Sequence, residues 1–490
     1  MSLSPTFDPH LGEPEPPLYA ARKQIYPQAV KGFYRRIKWI ILFITLGIYY
    51  FLPFVRWDRG PNAPSQAVLI DLPHRRAYFF FIEIWPQEVY YLTGLLIIAA
   101  LGLFLMNAMA GRVWCGYLCP QTVWTDLFMA VERMVEGDRR ERMQRDAQPT
   151  NLETFSLKLL KHSIWLLLAW WMGGVWVLYF ADAPTLVRDL ATFQAEPIAY
   201  ISIAVLTFTT YTFAGLMREQ VCLYMCPWPR IQAALTDEHA LNVTYRYDRG
   251  EPRMSLKKAT HAREVGEPAG DCIDCQQCVA VCPTGVDIRH GPELGCIQCG
   301  LCIDACDEVM LKINRPLRLI AYDTDVNIKR REEGLAPVFK PIRSRTILYA
   351  ALIVLISGIM AYALATRAPF TVSVIHDRNP IFVKLSDGHI RNAYTVRIAN
   401  MLMDPATFTL EVEGLHEPRV EIIGGEGEIN GKPSVMVGAD QTRELRVLVT
   451  ASDEDIEEGE PPHLEFTLHD QTDGRTAIGR DFFRTPKTIH

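Results

Sequence analysis

The sequence predicts a multi-domain integral membrane protein: a five-helix transmembrane bundle, an inserted cysteine-rich domain and a C-terminal antiparallel β-sandwich. Three observations predict it. Five apolar runs each approach the roughly 20 residues needed to cross ~30 Å of hydrocarbon. All 12 cysteines lie between Cys115 and Cys306. Beyond Arg367 the apolar period changes to two, the period of a strand with one buried face.

Residues 1–32 are proline-rich (Pro5, Pro9, Pro14, Pro16, Pro17, Pro27), carry no apolar period and read as a mobile tail. No signal peptide is evident, because the first apolar run starts late and lacks a small-residue cleavage site. The spans are Trp39–Val55, Val89–Ala110, Ile164–Ala181, Ile198–Met217 and Thr346–Ala365. Tryptophans and tyrosines at their ends (Trp39, Tyr49, Tyr90, Trp165, Tyr179, Tyr200) suit the membrane interface. Buried helices of a soluble protein fit five such runs poorly. Residues 33–217 thus hold four spans, 218–345 an inserted domain with its core at 269–316, 346–366 the fifth span, and 367–490 a terminal domain.

Basic residues predict the orientation. Six lie between Arg22 and Lys38, eight between Arg112 and Lys161, and only Arg188 between spans three and four. The positive-inside rule puts the N-terminus and the cysteine-rich domain in the cytoplasm and, with five spans, the terminal domain outside. The reducing side also suits thiolate-held clusters. The first loop is discordant, with Arg56, Arg59, Arg75 and Arg76 on the outer side; its aromatic Ala77–Trp85 stretch is expected along the interface. A net charge of −6 argues against a nucleic-acid partner.

Cys272-x-x-Cys275-x-x-Cys278-x-x-x-Cys282-Pro283 and Cys296-x-x-Cys299-x-x-Cys302-x-x-x-Cys306 form two tandem runs with the spacing of a two-cluster ferredoxin, in which the fourth cysteine of each run serves the other cluster. Cys272, Cys275, Cys278 and Cys306 are therefore expected at one [4Fe–4S] cluster, and Cys296, Cys299, Cys302 and Cys282 at the other. Zinc is the rival for such pairs, but each run offers a third cysteine at the same step. Asp307 stands where a second proline is usual, which alters the turn without removing a ligand.

A second pattern follows spans two and four: Cys115-Gly-Tyr-Leu-Cys119-Pro120 and Cys222-Leu-Tyr-Met-Cys226-Pro227, with Tyr117 and Tyr224 at the same step. On a helix, positions i and i+4 share a face. Two pairs meeting would give four thiolates at the membrane face, a soft set suited to Cu(I), zinc or a further Fe–S centre. Redox dithiols and small packed residues beside a proline turn are the alternatives. Met106, Met109 and Met225 lie nearby as soft donors, though packing is their ordinary role. In the tail, Phe408-x-Leu410-x-Val412, Leu445-x-Val447-x-Val449 and Leu464-x-Phe466-x-Leu468 alternate between turns read at Gly424–Gly431 and Asp470–Gly474, as a sandwich of about 120 residues would. The acidic run Asp453–Glu460 reads as a solvated loop. Paired membrane histidines, C-x-x-C-H, P-loop and dinucleotide fingerprints are absent from the sequence, with His162 alone near a span interior.

Tandem cluster knots, five spans, two C-x-x-x-C-P motifs and a cysteine-free β-domain together resemble the FixG/CcoG/RdxA family over nearly the whole chain after its N-terminal tail. The resemblance implies an accessory protein for assembly of the cbb3-type cytochrome oxidase. It implies two [4Fe–4S] clusters, an Ig-like C-terminal domain, and reduction of Cu(II) to Cu(I) for copper delivery. On that basis Cys115, Cys119, Cys222 and Cys226 are expected to handle copper as substrate, with the clusters as electron source and with oxidase assembly factors or copper carriers as partners. A NapH-like quinol-dehydrogenase subunit shares the cysteine motifs but not the β-domain. A non-catalytic assembly scaffold is the third reading.

Overall fold

The computed structural model describes residues 24–486 except 62, 150, 292, 403 and 453–460. The acidic run and the tail up to residue 23 lie outside the described residues. The chain divides into two compact units. One comprises residues up to Phe51, Leu95–Val177 and Thr192–Val354; the other comprises Leu52–Gly94, Leu178–Ala191 and Leu355 onward.

Four helical segments are long and apolar enough to cross a membrane: Phe33–Phe54, Pro86–Ala110, Pro197–Met217 and Ser344–Ala365. The remaining expected span is the 26-residue helix Leu152–Val177, roughly 39 Å at 1.5 Å per residue. Trp165, Trp170, Trp171 and Trp176, with Lys158, Lys161 and His162, make it less apolar than the others. In the first unit it packs on Pro197–Thr210 and Pro120–Glu136 around a core of Trp124, Phe128, Trp165, Ala169 and Ala214. The first span joins this core, with the Tyr49 hydroxyl donating to Met172 O at 2.8 Å.

The tail expectation fails for residues 24–32. Gln28 N donates to Ala280 O at 2.9 Å, Ala29 N to Asp138 Oδ1 at 3.0 Å and Arg142 to Pro27 O at 2.9 Å. Proline blocked a regular period there, but the backbone groups find long-range partners. The first span then starts against the cysteine-rich domain: Asp304 accepts from Tyr34 N and Arg35 N, satisfying amides that a helix start leaves unpaired. Gly32 permits this approach, since a Cβ there would lie 2.2 Å from Asp304 Cγ.

The two cysteine runs fold differently. Pro283 follows a four-residue helix, Gln277–Ala280, whereas Leu301–Lys312 continues through Cys306 and Asp307 for 12 residues. Asp307 leaves the helix intact where proline would remove an amide donor, and its carboxylate accepts from Arg318 N at 2.7 Å. The flanks do more than anchor the domain. Asn242–Tyr245 and Ile320–Asp323 pair antiparallel and close the core over Ile303, Met310 and Leu319. Asp237 meets Arg343 and Arg345 beside the last span.

The second unit holds the expected sandwich. One sheet runs Arg419–Ile423, Gln441–Ala451, Ile390–Asn400, Phe370–His376, with Val383–Lys384 paired to Ile390–Asn400. The other runs Gly427–Ile429, Lys432–Val437, Ala406–Glu413, His463–Asp470, Thr476–Phe482. The alternating residues face inward; Phe408, Val447 and Phe466 are fully buried. The segment read as one turn at Gly424–Gly431 contains the strand Gly427–Ile429. Its hairpin closes at Asn430 and Gly431 with φ of 54° and 75°, the left-handed pair of a tight two-residue turn.

The first loop is a three-stranded meander, Val68–Asp71, Arg76–Phe79 and Ile82–Ile84. Three of its discordant arginines have structural partners. Arg56 pairs with Asp182 at 2.6 Å; Arg59 donates to the carbonyls of Pro64, Gln66, Ala67 and Phe80; Arg76 binds Glu83 and Asp440 over the Trp85 ring.

Candidate iron–sulfur and thiol site

Two cavities sort the eight cysteines crosswise. One is lined by Cys282, Cys296, Cys299 and Cys302, together with Cys278. The other is lined by Cys272, Cys275, Cys278 and Cys306. The turns explain the exchange: Pro283 ends the first knot, so Cys282 swings beside the second, while the longer helix returns Cys306 to the first. Val286, Ile288 and Leu301 around one cavity, and Met310, Leu319 and Ile320 around the other, supply no competing donor. Burial pushes the Cys278 and Cys296 thiols up to about 12 and Cys302 well above its ordinary value. Iron binding must therefore displace protons. Among the described residues no three His, Cys, Asp or Glu side chains converge as one metal ion requires. A zinc ion needs its sulfurs within ~2.3 Å of one point; four thiols spread around each cavity fit a larger cluster.

The C-x-x-x-C-P pairs meet, but not as two matching helix faces. Cys115 lies on the helix Val113–Tyr117, whereas Cys119 is extended (φ −60°, ψ 126°) ahead of Pro120. Cys222 lies on the π-wound segment Val221–Met225, and Cys226 is likewise extended (φ −81°, ψ 122°) ahead of Pro227. Proline restricts the residue before it to extended backbone, which overrides the i, i+4 expectation. Cys115 Sγ donates to Gln232 Oε1 at 3.4 Å, so the first pair contacts the helix that follows the second. Burial pushes Cys115 up to about 12 and Cys222 up to about 11; neighbouring thiols of the set add to both, and Arg112 opposes them. The tyrosines diverge: Tyr117 is buried, while Tyr224 is 64% exposed.

This thiol site rests on the loop that carries Cys296 and Cys299. Arg112 donates to Leu294 O at 2.5 Å and to Cys296 O at 2.9 Å, and its own amide donates to Gln298 Oε1 at 2.7 Å. Tyr117 donates to Cys299 O at 2.9 Å, and Tyr322 donates to Gln298 O. Gly116 approaches the loop's backbone, since a Cβ there would lie 2.8 Å from Ile297 O. Beneath it, Arg35 and Lys38 converge on buried Asp126 at 2.8 and 3.8 Å, and Lys38 donates to Gly116 O. Burial raises the Asp126 carboxyl, but Lys38 and Arg35 outweigh burial and hold it below its ordinary value. The motifs marked the cysteines; Arg112, Tyr322 and Asp126 carried no signal beyond ordinary composition.

Comparison with known proteins identifies the domains. Residues 217–325 match a family described as a 4Fe-4S dicluster domain, 92–134 a 4Fe-4S binding domain, and 360–486 an IG-like fold at the C-terminal of FixG. The chain is 46% identical over 460 residues to the nitrogen fixation protein FixG of Rhizobium meliloti, covering 89% of this chain and 87% of that protein. It is 50% identical over 438 residues to protein RdxA of Cereibacter sphaeroides, covering 89% and 91%. A solved FixG-related protein from Vibrio parahaemolyticus covers 24% of this chain and 98% of its own, at 21% identity and a TM-score of 0.21. With its iron–sulfur domains, its apolar helices and its Ig-like C-terminal domain, the chain belongs to the FixG family.

Proposed function

We propose that this protein is a membrane-bound iron–sulfur reductase that converts Cu(II) to Cu(I) at Cys115, Cys119, Cys222 and Cys226, in service of cbb3-type oxidase assembly. The observation that carries the reading is the contact of Gly116 and Tyr117 with the Cys296–Cys299 loop. It sets the thiol site against one of the two cluster cavities. In this reading Cys282, Cys296, Cys299 and Cys302 hold the cluster nearer the thiols; Cys272, Cys275, Cys278 and Cys306 hold the farther one. The clusters supply one-electron redox chemistry. The chain's own residues do the rest: Cys278, which borders both cavities, links the cluster sites, and Arg112 and Tyr117 hold the near loop against the thiols.

The four thiols are gathered but not closed around one point, which suits an ion received and passed on. Sulfur favours the cuprous product. The clusters and thiols face the cytoplasm in this account, and the Ig-like domain meets oxidase assembly factors or copper carriers outside. A Cys115→Ala, Cys119→Ala, Cys222→Ala, Cys226→Ala variant tests it. Reductant-driven Cu(I) formation is expected to disappear while iron content and the cluster spectrum persist. Undiminished Cu(I) formation would remove copper from these thiols.

A further inference from the structure

A cavity of about 350 Å³ in the first unit shares no lining residue with the cluster cavities. Glu132, Lys161, His162, Trp165, Arg218 and Glu219 line it. Lys161, His162 and Trp165 belong to the 26-residue helix Leu152–Val177, and Glu132 to the helix after Cys119-Pro120. Arg218 and Glu219 lie between the span Pro197–Met217 and Cys222. Arg218 has φ +47° between two π-wound segments, Tyr211–Met217 and Val221–Met225. Such strained backbone persists only where its surroundings enforce it, and it clusters at functional sites.

The cavity's charges are of two kinds. Glu132 is committed: it binds Arg142 at 2.6 Å and Arg218 at 2.8 Å, and Lys161 lies 3.6 Å away and reaches Glu136 at 2.9 Å. His162 and Glu219 retain capacity. The His162 Nδ1 meets the Tyr211 hydroxyl at 2.9 Å, and among the described residues its other ring nitrogen has no protein partner. Glu219 is 6% exposed, accepts from Gln220 at 3.2 Å and has no ion pair among the described residues. The walls therefore offer two proton acceptors, His162 and Glu219, beside the ion-paired cations Lys161 and Arg218.

We propose that this cavity admits electrons from a membrane-diffusible quinol, whose two hydroxyls are met by His162 and Glu219. The inference rests on the reading of the chain as a reductase, which needs a donor. Gly215 and Leu216, at the end of the apolar span Pro197–Met217, line the cavity, so a quinol at that end of the span reaches it from the bilayer. Its oxidation breaks both O–H bonds. The two protons pass to the His162 imidazole and the Glu219 carboxylate and then to water. The two electrons leave singly, one to each iron–sulfur cluster, each of which is reduced by one electron. Lys161 and Arg218 stabilise negative charge on the ring oxygens as the protons depart. Cys222 lies three residues beyond Glu219, so the entry and exit sites share one strained segment.

The test uses full-length, cluster-replete protein in detergent without oxygen, with decylubiquinol and menadiol as probes. Both probes are expected to bleach the clusters of the wild type. His162→Phe and Glu219→Gln are expected to slow that bleaching by about a hundredfold, with iron content and dithionite bleaching unchanged. Decylubiquinone is expected to quench tryptophan emission in the wild type but much less in Trp165→Phe. Leu216→Trp, which fills the cavity, serves where a polar variant fails to fold. Clusters that dithionite reduces but neither quinol touches would overturn the proposal, as would wild-type rates in both polar variants. Copper reduction by dithionite-reduced protein, read in the same preparations, separates the two readings. Its absence beside intact quinol oxidation removes copper and leaves this site standing.

Discussion

Gly116→Ala is a sharp test of the contact between the thiol site and the cluster loop. A Cβ at residue 116 would lie 2.8 Å from Ile297 O, 3.1 Å from Cys299 Cα and 3.1 Å from Gln298 O. All three are backbone atoms, so no side chain can rotate away. Ordinary contact begins near 3.4 Å, so the helix and loop must separate by about 0.6 Å. Overpacking of this kind costs about 1–3 kcal/mol, against about 1 kcal/mol gained from the helix preference of alanine over glycine. The net expectation is a loss of up to ~2 kcal/mol, or a few degrees in Tm. The Tyr117 and Arg112 bonds to Cys299 O and Cys296 O must stretch, so the near cluster's electron-paramagnetic-resonance signal should shift while the far one's stays. Gly174→Ala, with nothing within 4 Å of its Cβ, is the control and should be neutral or stabilising. A Gly116→Ala variant that melts higher, with both cluster signals unchanged, would show that the close approach does not exist.

Asp126→Asn leaves Arg35 and Lys38 buried without their carboxylate and should cost about 3–5 kcal/mol; thermal melts in detergent showing no loss would contradict that pairing. Cys275→Ser and Cys299→Ser should each remove one cluster and about half the iron, and the two surviving spectra should differ. In the second unit, burial, reinforced by Asp440, pushes Glu83 up from 4.5 to about 8, against the pull of Arg76 and Arg367. The folded state thus keeps a proton that the unfolded chain releases. Its stabilisation is full below pH 4.5 and is lost as pH rises through about 8. Melts of Glu83→Gln should lose that slope, and an identical slope in the variant would assign it elsewhere.

What was legible in the sequence was whatever repeats at short range. Cysteine steps of three marked both cluster knots, and the alternation at Phe408, Leu410 and Val412 marked a strand whose inner face is buried. Roles set by distant partners were not legible. Arg35 and Lys38 look like topology signals, yet they neutralise Asp126 about 90 residues away. Tyr117 and Tyr224 look equivalent, yet Tyr117 donates to Cys299 O while Tyr224 is exposed. Residues 24–32 lack any period, because their order comes from bonds to Ala280, Asp138 and Arg142. The exchange of Cys282 and Cys306 was readable from the knot spacing. The contact between Cys115-Gly116-Tyr117 and the Cys296–Cys299 loop depends on Gly116, which composition cannot flag.

In the proposed reaction, cluster electrons leave through the four membrane-proximal thiols to copper. Rapid mixing of dithionite-reduced, desalted protein with Cu(II) tests it directly, following cluster absorbance and a Cu(I) chelator together. Cluster reoxidation and Cu(I) formation should share one time course, with one Cu(I) formed per cluster reoxidised, and both should stop in the four-cysteine variant. Clusters that stay reduced while Cu(I) appears, or that reoxidise equally fast without the thiols, would contradict the account.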